Sequence, residues 1–233
     1  LKARQEQIDD MSILPKVGLE DVPARLPEYE NEKVSESLPI TFYPQGTNGL
    51  VYQQLVTELP ALTEAETQLL PVYSYLVTEL GVGEQDYLAI QSRQAQVCGG
   101  LGASSSIRPE LIDKQRVNGY FVLSSKALVP NAAAMTELMA QTFNDVRFDE
   151  TGRIKELIAQ RRARRERSIT GQGHSLAMSA ASSGMSGLSA QQEAWGGMSG
   201  IRDVIALDDA LKADPQAMTD LCTTLQSIHS KLA

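Results

Sequence analysis

His174 and His229 are the two histidines of this 233-residue sequence, and they fall in different predicted helices. A hydrolytic zinc site of the zincin type needs two His one helical turn apart with a Glu beside them, so that both imidazoles reach one ion. Nothing in the sequence meets that geometry, and the expectation is that this chain alone holds no metal and no catalytic residue. Gly173-His174-Ser175-Leu176-Ala177 is similar to the nucleophile elbow G-x-S-x-G, with Ala177 in place of the last glycine. Ser175 would then be the nucleophile, and His229 is the imidazole left to serve as its base. That chemistry also needs a buried strand just before the serine, whereas Arg161 to Ile169 reads as a charged helix. Gly171 and Gly173 are better read as a break between two helices, which leaves a serine hydrolase as a remote alternative. Cys98 stands beside Gly99-Gly100 in an expected strand and Cys222 on an apolar stripe, so both read as small buried hydrophobes.

Two other groupings could bind an anion. Gly99, Gly100 and Gly102 suggest a phosphate loop, but no Lys-Ser/Thr follows and no G-x-G-x-x-G spacing is completed. A strand that lets another backbone come close is the better reading, because glycine removes the side-chain obstacle. Arg161, Arg162, Arg164, Arg165 and Arg167 crowd two helical turns. At about 100° per residue they spread around the helix instead of forming a stripe, and no aromatics interleave for base stacking. They read as a solvated helix end, or as partners for an acidic neighbouring domain. The net charge of −8 leaves no overall positive field for a polyanion, which argues against nucleic acid. No apolar run approaches the ~20 residues of a membrane span, and no signal peptide is visible. Two cysteines without a C-x-x-C pair fit a reducing compartment.

These residues must be positioned by a core built with few aromatics, which are 5% of the chain, and therefore from Leu, Val, Ile, Met and Ala. Residues 1–10 read as the tail of a polar helix that starts at Leu1 without an initiator Met, as expected for a piece of a longer protein. Met11 to Glu36, with Pro15, Pro23 and Pro27, reads as an extended connector. Strands are expected at Leu38–Tyr43, Leu50–Leu59 and Asn118–Leu128, with a Gly/Ser segment at Ala95–Ile107. A helix from Thr63 to Leu80 is announced by the capping-box pair Thr63 and Glu66 and is expected to kink at Pro71. Further helices are expected at Glu84–Gln94, Asn131–Phe143, Arg153–Ile169, Ser175–Ser186 and Pro215–Lys231, the last with Asp214 as N-cap. Mixed strands and helices followed by helices alone imply an α+β fold, a two-layer antiparallel sheet with helices on one face. The division expected is 1–36 as linker end and connector, and 37–233 as a single α+β domain.

Several short motifs, in order and spacing, carry a resemblance. They are Ser12-Ile13-Leu14-Pro15 with Glu20-Asp21-Val22, Thr47-Asn48-Gly49-Leu50-Val51-Tyr52, Leu80-Gly81 with Asp86-Tyr87, and Gly99-Gly100-Leu101-Gly102-Ala103-Ser104. Ser124-Ser125-Lys126-Ala127-Leu128, Ser168-Ile169 with Gly173-His174 and Ala177, and Trp195-Gly196-Gly197 complete the set. Together they resemble the insulinase (pitrilysin) clan of zinc metallopeptidases, in its presequence-protease-like branch. The resemblance implies a LuxS/insulinase-type domain, the third of four, that lacks the metal site and follows a helical linker. Zinc is implied in the catalytic half of the parent, on an H-x-x-E-H motif absent here. The helix from Thr63 resembles the catalytic helix but offers Leu69, Leu70, Pro71, Val72 and Tyr73 where His and Glu would stand. By the same resemblance, Gly99, Gly100, Gly102, Ala103 and Ser104 correspond to a strand that faces the substrate chamber. The partners implied are the remaining domains of the parent and peptide substrates, with no nucleic acid and no membrane. The compartment implied is cytoplasmic if bacterial, and otherwise mitochondrial matrix or plastid stroma. A metal-free scaffold module of the same clan is the alternative.

Overall fold

Thr63 starts the first long helix as expected. Its hydroxyl accepts the Glu66 N–H at 3.3 Å while the Glu66 carboxylate accepts the Thr63 N–H at 2.7 Å, closing a capping box at the head of α1 (Glu64–Leu76). The computed structural model describes residues 11–25, 28–35, 38–113 and 116–233. The helix expected over residues 1–10 lies outside the described residues, as does the Glu36 end of the connector.

The chain divides into two compact units, Leu1–Thr47 and Asn48–Ala233. In the first, the expected connector contains two short 3-10 turns and a strand that the absence of period concealed, β1 (Glu32–Ser35). It pairs antiparallel with β2 (Ile40–Phe42), with Glu32 opposite Phe42. The second unit holds an antiparallel sheet in the order β3-β5-β4, formed by β3 (Leu50–Glu58), β4 (Leu101–Pro109) and β5 (Val117–Leu128). Leu123 of β5 lies opposite Leu55 on one side and Ala103 on the other. Phe121, Leu123, Ser125 and Ala127 are buried at alternate positions, so one face of the sheet meets the core while Tyr52 and Val56 of β3 stay more than half exposed on the other. The fold is α+β with small antiparallel sheets.

The core joins that inner face to α1 through Leu70, Tyr73 and Leu76, and to helices α3 (Ala132–Asp145), α4 (Thr151–Gly171) and α8 (Pro215–Leu232). α8 is fastened to the start of α1 by Glu66. Lys231 Nζ lies 2.6 Å from its carboxylate and the Ser227 hydroxyl donates to it at 2.7 Å. The Lys231 ammonium, then the Thr63 N–H and the Ser227 hydroxyl, hold the Glu66 carboxyl down at about 2.

Pro71 does not end α1, which runs from Glu64 to Leu76. Proline has no N–H for the carbonyl four residues back, and that carbonyl, Thr67 O, accepts instead from the Trp195 indole at 2.8 Å. Helix α2 (Tyr87–Val97) begins at Asp86, whose side chain accepts the Ala89 N–H, and ends later than expected. Cys98 is therefore its C-cap and not a strand residue, a correction that follows from one extra helical turn.

Three helices follow α4: α5 (Gly173–Ser182), α6 (Gly187–Gly196) and α7 (Met198–Ala213). The sequence reading has α5 and lacks the other two. Glycine and serine at their junctions read as loop, and a buried Asp208 interrupts the apolar period of α7. Asp208 is fully buried because Arg162 of α4 meets it at 2.9 Å and Lys212 also pairs with it. The α6–α7 corner requires its glycines. A side chain at Gly197 would strike the Glu193 carboxylate, which accepts the Ser199 N–H at the head of α7, and one at Gly200 would strike the Trp195 carbonyl.

Candidate functional site

β4 is an edge strand of the described sheet, and its residues separate by face. Gly102 and Ser104 are exposed, whereas Ala103 packs on the core and Ser105 bonds Ser74 of α1 through their hydroxyls at 2.8 Å. Gly99 and Gly100 lie outside the strand, in the turn that leads from Cys98 to Leu101. Gly99 N–H donates to Lys126 O at 2.8 Å, and Gly100 takes φ +108°, a conformation L side chains rarely adopt. Of the five expected strand residues, Gly102, Ala103 and Ser104 are in β4, and Gly99 and Gly100 set its entry angle. The hydroxyls of Ser124 and Ser125 on β5 donate to Gly102 O and Gly100 O. Alternate N–H and C=O groups of an edge strand point away from its partner and can take an extended peptide as a further strand.

The proposed hydrolase pair does not assemble. His229 is 4% exposed in α8, with Nδ1 3.0 Å from the Tyr73 hydroxyl and Nε2 3.2 Å from Asn144 O. A carbonyl only accepts, so Nε2 carries the proton and Nδ1 accepts from the phenol. Ser175 and His174 are exposed on α5, and both nitrogens of His229 are engaged elsewhere. Tyr73 sits where the resemblance would want a metal ligand. It is fully buried, its ring 5.6 Å from Phe121 and 6.0 Å from Phe148, and burial pushes its phenol up. Among the described residues, no group of three or more His, Cys, Asp or Glu is placed to hold a metal ion. Burial likewise pushes the Cys222 thiol up, which keeps it protonated and unreactive.

One feature escaped the sequence reading. A half-enclosed cavity of about 280 Å³ lies between α1, α4, α6 and α7, with Leu69, Pro71 and Val72 on one side, Val204 and Trp195 on another, and Arg161 in its wall. The five clustered arginines carried the signal, but their partners are set by tertiary contacts. Arg162 pairs with Asp208, Asp209 and Glu166 inside the same unit, not with another domain. Arg165 donates to Trp195 O at 2.7 Å and Arg167 to Ala163 O.

A family model described as "Peptidase M-16C associated" matches residues 1–207. The mitochondrial presequence protease of Danio rerio is 27% identical over 229 residues, covering 98% of this chain and 22% of that protein. That of Yarrowia lipolytica is 26% identical, covering 98% and 23%. Presequence protease 1, chloroplastic/mitochondrial, of Arabidopsis thaliana is 22% identical, covering 100% and 22%. The chain thus spans about a fifth of the length of the curated relatives it matches.

Proposed function

Since the chain belongs to this peptidase-associated family, we propose that it is a non-catalytic, chamber-forming domain of a zinc metalloendopeptidase that degrades short unfolded peptides. Its fold is read as the insulinase type, in the third position of such an enzyme. The relatives are presequence proteases by name, and this chain matches a limited stretch of each. The residues here do not fit a zinc ion: α1 presents Leu70 and Tyr73 to the core, and His229 has no free nitrogen. Zinc would be held in another part of the parent, where it lowers the pKa of bound water to ~7. The partners are then the other domains of that parent and its peptide substrates. For the compartment both expectations stand: the relatives are mitochondrial or chloroplastic by name, and a bacterial source would make the protein cytoplasmic.

The observation that carries this reading is the edge position of β4 with its run of small residues. Gly102, Ala103 and Ser104 would line the chamber and keep water from the bound peptide, with Gly99 and Gly100 shaping the approach. Gly102 is the informative position. A side chain there meets nothing nearer than Ser124 Oγ at 3.7 Å, whereas Gly100 is strained by any replacement. In the longer protein, Gly102→Trp is expected to lower kcat/KM for a short unfolded peptide at least about tenfold, some 1.4 kcal/mol, with the melting temperature nearly unchanged. Unchanged cleavage refutes the chamber assignment.

A further inference from the structure

Arg161 is a half-buried cation without a carboxylate. Its guanidinium lies over the Tyr75 ring, 5.3 Å from the centroid, and its Nε is buried with no hydrogen-bond partner among the described residues. Burial first, then Arg165, pulls it down to about 10, so it stays charged at neutral pH. Arg164 also stacks on Tyr75, at 5.8 Å. Asp203, the one carboxylate lining the cavity, is exposed and makes no ion pair with Arg161 among the described residues. In a chain of net charge −8, whose neighbouring Arg162 meets three acidic partners, leaving this guanidinium unpaired is costly, because a desolvated charge recovers little from ring stacking alone.

The cavity around it decides the ligand. Its volume of about 280 Å³ equals roughly nine water-sized volumes. Its other walls are apolar, so a phosphate, which wants several donors at once, would leave most of its oxygens facing Leu69, Pro71 and Val204. A carboxylate needs one planar fork, which a guanidinium supplies. The C-terminal residue of a peptide carries a carboxylate and a side chain on the same carbon, matching a cation set directly beside an apolar wall. We propose that this cavity binds the C-terminal carboxylate of a short peptide ending in an apolar residue, with Arg161 pairing the carboxylate and the Trp195–Val204 side taking the side chain. The proposal deepens the peptide-chamber reading and rests on it for the nature of the ligand.

Trp195 is the only tryptophan and lines the cavity, so its emission reports occupancy. Titration of the 233-residue chain with N-acetyl-alanyl-leucine is expected to change that emission saturably, and the C-terminal amide of the same dipeptide to bind at least about tenfold more weakly. Arg161→Met should erase the difference between acid and amide while far-UV circular dichroism stays unchanged, and Arg161→Lys should restore part of it. Equal binding of acid and amide, or no binding of either up to about 10 mM, overturns the proposal. The same titration on the longer protein should give the same preference. Loss of binding there would mean that the parent's own side chain fills the cavity, and would overturn the assignment to peptide. Failure of the chamber reading is separate, since it appears as unchanged cleavage by Gly102→Trp whatever this titration gives.

Discussion

Gly200→Ala is expected to lower the melting temperature by about 6–12 °C, from a cost of about 3 kcal/mol in a chain of this length. The added Cβ would stand 2.5 Å from Trp195 O and 2.7 Å from Ala194 O, and both are backbone atoms that no rotamer change can move. α7 would have to shift away from α6. That shift would also displace Trp195, whose indole supplies the hydrogen bond that Pro71 denies to Thr67 O. A red-shifted tryptophan emission should therefore accompany the lower melting temperature. Gly196→Ala, four residues away with nothing within 4 Å of its added carbon, serves as the control and should leave both unchanged. Equal melting of the two variants would refute the tight α6–α7 corner.

Truncation of Tyr73 is expected to have the other large effect. Tyr73→Ala removes a fully buried ring between Phe121 and Phe148 and should cost about 3–5 kcal/mol in chemical denaturation. Tyr73→Phe keeps the ring and removes the hydroxyl that donates to His229 Nδ1. It should cost about 1–3 kcal/mol, the penalty of leaving a buried acceptor unpaired. His229→Phe in the Tyr73→Phe background should recover part of that loss, because both unpaired groups are then gone. If Tyr73→Phe is as stable as the parent sequence, the hydrogen bond from the phenol to His229 contributes nothing and the account of α1 as a purely structural helix loses its main support.

The elements legible in the sequence were those with local signals. Thr63 with Glu66, Asp86 and Asp214 each announced a helix start through a side chain that bonds its own first turn. The alternation around Leu123 announced β5. What stayed hidden depends on partners distant in the chain. α7 is helical with Asp208 in its apolar stripe because Arg162, far earlier in sequence, neutralises it. α1 continues past Pro71 because Trp195 satisfies Thr67 O. β1 is a short strand with exposed side chains, so no burial pattern marks it. For the candidate site, the Gly/Ala/Ser run was visible, but its division into a turn at Gly99 and Gly100 and an edge strand from Leu101 was not, since that depends on α2 extending to Val97. The cavity at Arg161 was hidden for the same reason, since four helices meet to form it.

The central claim is that the catalytic groups lie outside this chain. It is tested most directly by incubating the purified 233-residue polypeptide with zinc and a quenched-fluorescent short peptide, beside the longer protein that contains it. The account predicts chelator-sensitive cleavage by the longer protein, and from the 233 residues alone no cleavage and no fluorophosphonate labelling of Ser175. Chelator-sensitive hydrolysis by those 233 residues alone, or labelling of Ser175, would contradict it.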